Sequence, residues 1–120
     1  MQYKVGTARI VPDATVPSAP ARAQGSAGNV NAGTHSWKVT FVHTNGGESL
    51  PSAASTQLNV SPASQVNLSS ISLGPSGTSA RRIYRTVTGD TGAYKLVGTI
   101  ADNTTTIFTD ANGLLLRPAP

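Results

Sequence analysis

The sequence predicts an all-β antiparallel sandwich preceded by an extended arm, and three observations predict it. Twelve Gly and eight Pro in 120 residues, with 12% charged side chains and abundant Thr, Ser and Val, describe short strands joined by tight turns. No window of about 11–18 residues carries an apolar repeat of 3.6, and none approaches the ~20 apolar residues of a membrane span, so a soluble chain is expected. From residue 35 onward apolar residues alternate with polar ones. The length suits one domain with one modest core.

Residues 1–28 are expected to form the arm. Pro12, Pro17 and Pro20, with the run Ala19 to Asn29, favour extended backbone and offer few large side chains to a core. Within this stretch Tyr3, Val5, Ile10 and Val11 supply one short strand, which needs an edge on the body or on another subunit to be stable. These four residues are candidate interaction residues.

The body is placed at 29–113 and a C-terminal tail at 114–120. Its first strand carries His35, Trp37, Val39, Phe41 and His43 on one face and Ser36, Lys38 and Thr40 on the other, so Trp37, Val39 and Phe41 are core. Thr44-Asn45-Gly46-Gly47 has the residues a hairpin turn requires. Thr56 to Val60 returns with Leu58 and Val60 inward, and Pro51 and Pro62 bracket it as an edge or strand-end segment. Gln65 to Leu73 turns Val66 and Leu68 inward, then Ile71 and Leu73, and the shift of phase predicts a bend at Ser69-Ser70. Ala80 to Val87 sets Ile83, Val87 and the stems of Arg81 and Arg85 on one face, Arg82 and Tyr84 on the other. Gly89-Asp90-Thr91-Gly92 and Asp102-Asn103-Thr104 are turns flanking a strand from Tyr94 to Ile100, and Thr105 to Thr109 is the last strand before a turn at Asp110.

Charge and composition narrow the function. Nine Lys+Arg against five Asp+Glu give a net charge of +4, a mild bias toward acidic surfaces or nucleic acid. The first ten residues lack the apolar segment of a secretory signal and there is no Cys, so folding in a cytoplasm without disulfides is expected. His35 and His43 stand too far apart on one strand to share a metal, and no local motif supplies other zinc ligands. Asp90, Asp102 and Asp110 sit at predicted turns, where Asp bonds its own backbone; a weak calcium site between loops stays an alternative. Glu48 is the only Glu, and no carboxylate pair, serine elbow or Ser-His-acid arrangement is visible. No enzyme activity, cofactor or metal is expected.

Arg81, Arg82 and Arg85 around Tyr84 form the one dense basic cluster. Phosphate gripping with Tyr84 stacking a base is one reading. An exposed, aggregation-resistant strand that docks on an acidic protein surface is the favoured one.

Gly33 to Ser52 resembles the second-last strand, turn and start of the last strand of a fibronectin type III domain: Gly-Thr-aromatic-x-aromatic-Lys-Val, then Asn-Gly-Glu-Ser and Pro-Ser, with His35 in the place of the first aromatic. Ser79 to Asp110, SARRIYRTVTGDTGAYKLVGTIADNTTTIFTD, resembles that family's middle strands, with its Tyr-Arg hairpin and Leu-Val-Gly strand. The second block normally precedes the first, so the resemblance implies an immunoglobulin/fibronectin III-like sandwich with permuted strand blocks. In order and composition the chain also resembles immunoglobulin-like accessory proteins of tailed-bacteriophage virions. That implies a non-enzymatic capsid decoration or cement protein, located in the virion after assembly in the host bacterial cytoplasm. It would dock through its N-terminal arm on major capsid or other virion proteins and form homo-oligomers, without membrane or nucleic acid. The alternatives are a tail-associated or carbohydrate-binding adhesion module, with Trp37 or Tyr94 as sugar platform, and a nucleic-acid binder using the arginines.

Overall fold

Alternating strands need a second layer to cover their apolar faces, and the chain supplies it from distant segments. The computed structural model describes residues 16–86 and 94–111. They contain β1 (Ala21–Val30), β2 (Gly33–His35), β3 (Trp37–His43), β4 (Leu58–Val60), β5 (Ser64–Ser69), β6 (Thr78–Thr86), β7 (Tyr94–Ile100) and β8 (Phe108–Asp110). Two three-stranded antiparallel sheets, β1-β5-β8 and β3-β6-β7, pack into the expected sandwich, with the short pair β2-β4 alongside.

The core follows from period two. Val66 and Leu68 of β5 meet Trp37 and Val39 of β3, Ile83 of β6, and Val97 and Ile100 of β7, while Val30, Val60 and Ile71 close the cluster and Phe108 packs against it. Each such side chain contributes about 1.5–3 kcal/mol on burial. Leu58 is only partly buried, and Leu73 departs from the expected inward phase, being 51% exposed. The backbone explains the departure: Ser70 takes a φ of 53°, which shifts the phase as anticipated and turns Ile71 inward. Ser72 then accepts bonds from Ser18 N–H and from Arg81, and Gly74 pairs with Asn103, so Leu73 faces out.

The expected boundary at residue 29 falls inside β1. Ala21 to Gln24 pair with Ser69 to Val66, so the stretch assigned to the arm supplies a strand of the body. Its small residues are what allow this. A Cβ on Gly28 would lie 2.7 Å from the Gln65 backbone nitrogen, closer than side chains tolerate. The remaining arm residues and the tail at 114–120 lie mainly or wholly outside the described residues.

One flank is closed by side chains that act as backbone. Ser49, Ser52 and Ser55 recur every third residue along β3, and their N–H groups donate to the carbonyls of Phe41, Val39 and Trp37 at 2.8–2.9 Å. The same three residues donate their N–H groups to the serine hydroxyl oxygens at 2.9–3.0 Å. Each hydroxyl passes its proton on to a neighbouring carbonyl. Further along, Arg22 donates to the carbonyls of Thr56 and Gln57, and the Gln24 amide both donates to Ser61 O and accepts from Ser61 N. The segment from 48 to 61 thereby ties β3 of one sheet to β1 of the other.

Candidate functional site

β6 runs between β3 and β7, and that position decides what its arginines do. Arg81 and Arg85 point into the sandwich with Ile83, as the alternation predicts, but both are fully buried. The exposed basic docking strand expected from the sequence is therefore corrected: a central strand has no open edge, and its inward arginines are enclosed with partners. Arg85 meets Asp110 at 2.8 Å with both side chains wholly enclosed. Trp37 donates its indole N–H to the same carboxylate oxygen at 2.9 Å. Asp110, expected at a turn, instead occupies the end of β8 and joins the two sheets.

Arg81 holds the opposite end of the sandwich. Its guanidinium donates to Ser72 O, Asp102 O, Thr105 O and the Asp102 carboxylate, so it fixes the loops after β5 and β7. Asp102 itself accepts from Thr105 N, Thr104 N and the Thr105 hydroxyl. These bonds, the Thr105 N–H first, with Arg81 beside them, hold its carboxyl well below the usual carboxylate range. The expectation that Asp102 serves its own turn is met.

Arg82 and Tyr84 lie on the other face of β6. Glu48, held after the Gly46 turn, accepts from Arg82 at 2.7 Å, from Thr40 at 2.5 Å and from Tyr84. Gly46 takes a φ of 91°, a conformation that only such a residue adopts without strain. Tyr84 is buried, which removes it as a stacking surface for bases.

The remaining candidates are also placed. Trp37 is enclosed in the core, so it offers no sugar platform, and Tyr94 bonds Ser36 and carries the Lys38 ammonium 4.4 Å from its ring centre. His35 is buried; its Nε2 lies 2.9 Å from Asn31 O, and its Nδ1 lies 3.2 Å from the Thr86 carbonyl and 3.4 Å from the Thr86 hydroxyl. A ring at this position bonding the carbonyl four residues upstream does what a tyrosine corner does in sandwiches. His43 accepts from Asn45 N beside the turn. Among the described residues no three His, Asp or Glu side chains gather as a metal would require, and Asp90 lies outside them. Tyr3, Val5, Ile10 and Val11 likewise lie outside the described residues.

Sequence reasoning missed the serine ladder, Gln24 and Asn103. The ladder had a signal in the three-residue spacing of Ser49, Ser52 and Ser55, whereas Gln24 and Asn103 had none, since any exposed amide looks alike in sequence.

Among the described residues four large apolar side chains are exposed: Val16, Leu50, Leu73 and Ile107. Val16, Leu73 and Ile107 belong to segments that meet at one end of the sandwich, where Ser18 bonds Ser72 and Ile71 bonds Thr106. Val16 is also the first of the described residues. No family model and no curated protein matches this chain.

Proposed function

We propose that this protein is a non-enzymatic structural subunit of a bacteriophage virion, a capsid decoration protein that docks on the major capsid or other virion proteins through residues near its N-terminus. The observation that carries the reading is the division of labour along the chain. Six charged side chains of the body, Arg81, Arg82, Arg85, Glu48, Asp102 and Asp110, form internal pairs that stiffen a knob. The exposed apolar groups Val16, Leu73 and Ile107 instead belong to segments that the Ser18–Ser72 and Ile71–Thr106 bonds bring to one end. A sequence such as Tyr3, Val5, Ile10 and Val11 ahead of exposed apolar groups is suited to shape-based docking and strand addition. The resemblance of the chain, in order and composition, to immunoglobulin-like accessory proteins of tailed-bacteriophage virions supports the same reading. A buried Arg81 and Arg85 leave the nucleic-acid alternative without its grip.

The test is incorporation. Chains spanning 16–120 are offered to particles assembled without this subunit, alongside the full chain, and bound protein is measured by sedimentation. The deletion stops at residue 15 because β1 belongs to the body. Loss of binding by a truncated chain that melts like the full one supports the reading, and equal binding overturns it.

A further inference from the structure

Residues 3–7 read Tyr-Lys-Val-Gly-Thr, and β7 opens with Tyr94-Lys95-Leu96-Val97-Gly98-Thr99. Remove Leu96 and the two segments are identical. The extra residue coincides with an irregularity in β7: Ile83 lies opposite Gly98, while the next residue of β6, Tyr84, lies opposite Leu96. Two residues of β7 advance against one of β6, which is a bulge. The N-terminal sequence is that of β7 without the bulged residue, and period two would put Tyr3, Val5 and Thr7 on one face of a strand.

Among the described residues β7 is the last strand of its sheet. Its edge carries one charge, Lys95, and no Pro, and the bulge at Leu96-Val97 interrupts it at one point. An added strand therefore has Gly98 to Ile100 on one side of the bulge and Tyr94-Lys95 on the other to pair with. The flank bearing β1 and β3 is bound by the segment from 48 to 61, as the bonds of Arg22, Gln24 and the serines show, and β7 lies on the other flank, beyond β6. The described residues begin at Val16, five positions before β1 and so toward the flank opposite β7. A strand supplied by a second copy reaches the β7 edge without crossing the sandwich of its own chain.

We propose that residues 3–7 of one chain add as a strand beside β7 of a second copy of this chain. The inference rests on the docking reading above and gives the arm an acceptor within the assembly. It makes the repeat of Tyr-Lys-Val-Gly-Thr the basis of homo-oligomer formation, in which one sheet continues from copy to copy.

The chain has no Cys, so Gln2→Cys gives one site for a nitroxide. Spin-labelled chain without isotope is mixed with ¹⁵N-labelled chain that carries no spin label, and amide signals of the ¹⁵N copy are followed. The expected result is loss of the signals of residues 95–99, restored when the spin-labelled chain also carries Val5→Pro, which cannot complete a strand ladder. No loss in the mixed sample overturns the proposal. So does loss only when both labels sit in one chain, loss centred on β1 or β8, or loss that survives Val5→Pro. Should β7 stay untouched while particle binding still needs residues 1–15, this inference falls and the docking reading stands. Should β7 respond while truncated chains bind particles normally, the reverse holds.

Discussion

Trp37 and Asp110 stand 73 positions apart, and the indole N–H of the first donates to the buried carboxylate of the second at 2.9 Å. Trp37 lies on β3 and Asp110 on β8, so one hydrogen bond joins the two sheets. Arg85 brings the compensating charge to the same oxygen. A buried ion pair of this kind contributes little net stability against an apolar replacement, but breaking it leaves an enclosed charge.

Asp110→Ala is therefore expected to cost about 3–5 kcal/mol, measured by urea denaturation. The double variant Arg85→Met with Asp110→Leu should recover a large part of that loss. A single variant within about 0.5 kcal/mol of the native chain contradicts the assigned role.

The serine ladder predicts a local effect. Ser52→Ala removes the acceptor of the buried Val39 N–H, an omission that costs about 1–3 kcal/mol. Amide exchange at Val39 should accelerate by more than at Val66 on the other sheet. Ala53→Ser, one position along and exposed, should leave both stability and exchange unchanged.

Gly28→Ala tests whether β1 is body or arm. Its Cβ would meet Gln65 N at 2.7 Å and Ser64 C at 3.0 Å, backbone atoms that cannot swing aside. Overpacking of this kind costs about 1–3 kcal/mol. A melting temperature equal to that of the native chain would mean that this stretch does not pair with β5.

Asp102 gives a pH dependence whose sign is fixed. Its folded pKa lies below the unfolded value, so in acid the unfolded chain binds the proton more readily and stability rises with pH through that window. The contribution is complete above the ordinary aspartate pKa of about 3.9 and is lost as pH falls toward the folded value. Asp102→Asn should lose less stability than the native chain on acidification below pH ~4, followed by thermal melts across that range. The side chain is 45% exposed, so salt weakens the difference.

Much of the body was legible because period two is a local property. Trp37, Val39, Phe41, Val66, Leu68 and Ile83 were readable as core from alternation alone, and the strand from Tyr94 to Ile100 from the turns on each side. The fate of Arg81 and Arg85 was not, because alternation places them on the inner face without saying that β3 and β7 would flank them or that Asp110 would arrive from the other sheet. β1 hid behind its own composition: Ala, Gly and Ser carry no apolar pattern, and their value lies in letting β5 approach. Asn103 and Gln24 imitate backbone through contacts 29 and 37 positions away, which no local spacing encodes. The segment proposed to dock is marked in the sequence only by Tyr3, Val5, Ile10 and Val11 ahead of Pro12.

The most direct measurement changes that segment while leaving the body intact. Tyr3, Val5, Ile10 and Val11 are each replaced by Ser in the full chain, and co-sedimentation with particles assembled without this subunit is compared with that of the native chain and of an Arg82→Ser variant. The account predicts loss of binding by the fourfold variant at an unchanged melting temperature, with Arg82→Ser binding as the native chain does. Undiminished binding by the fourfold variant would contradict it.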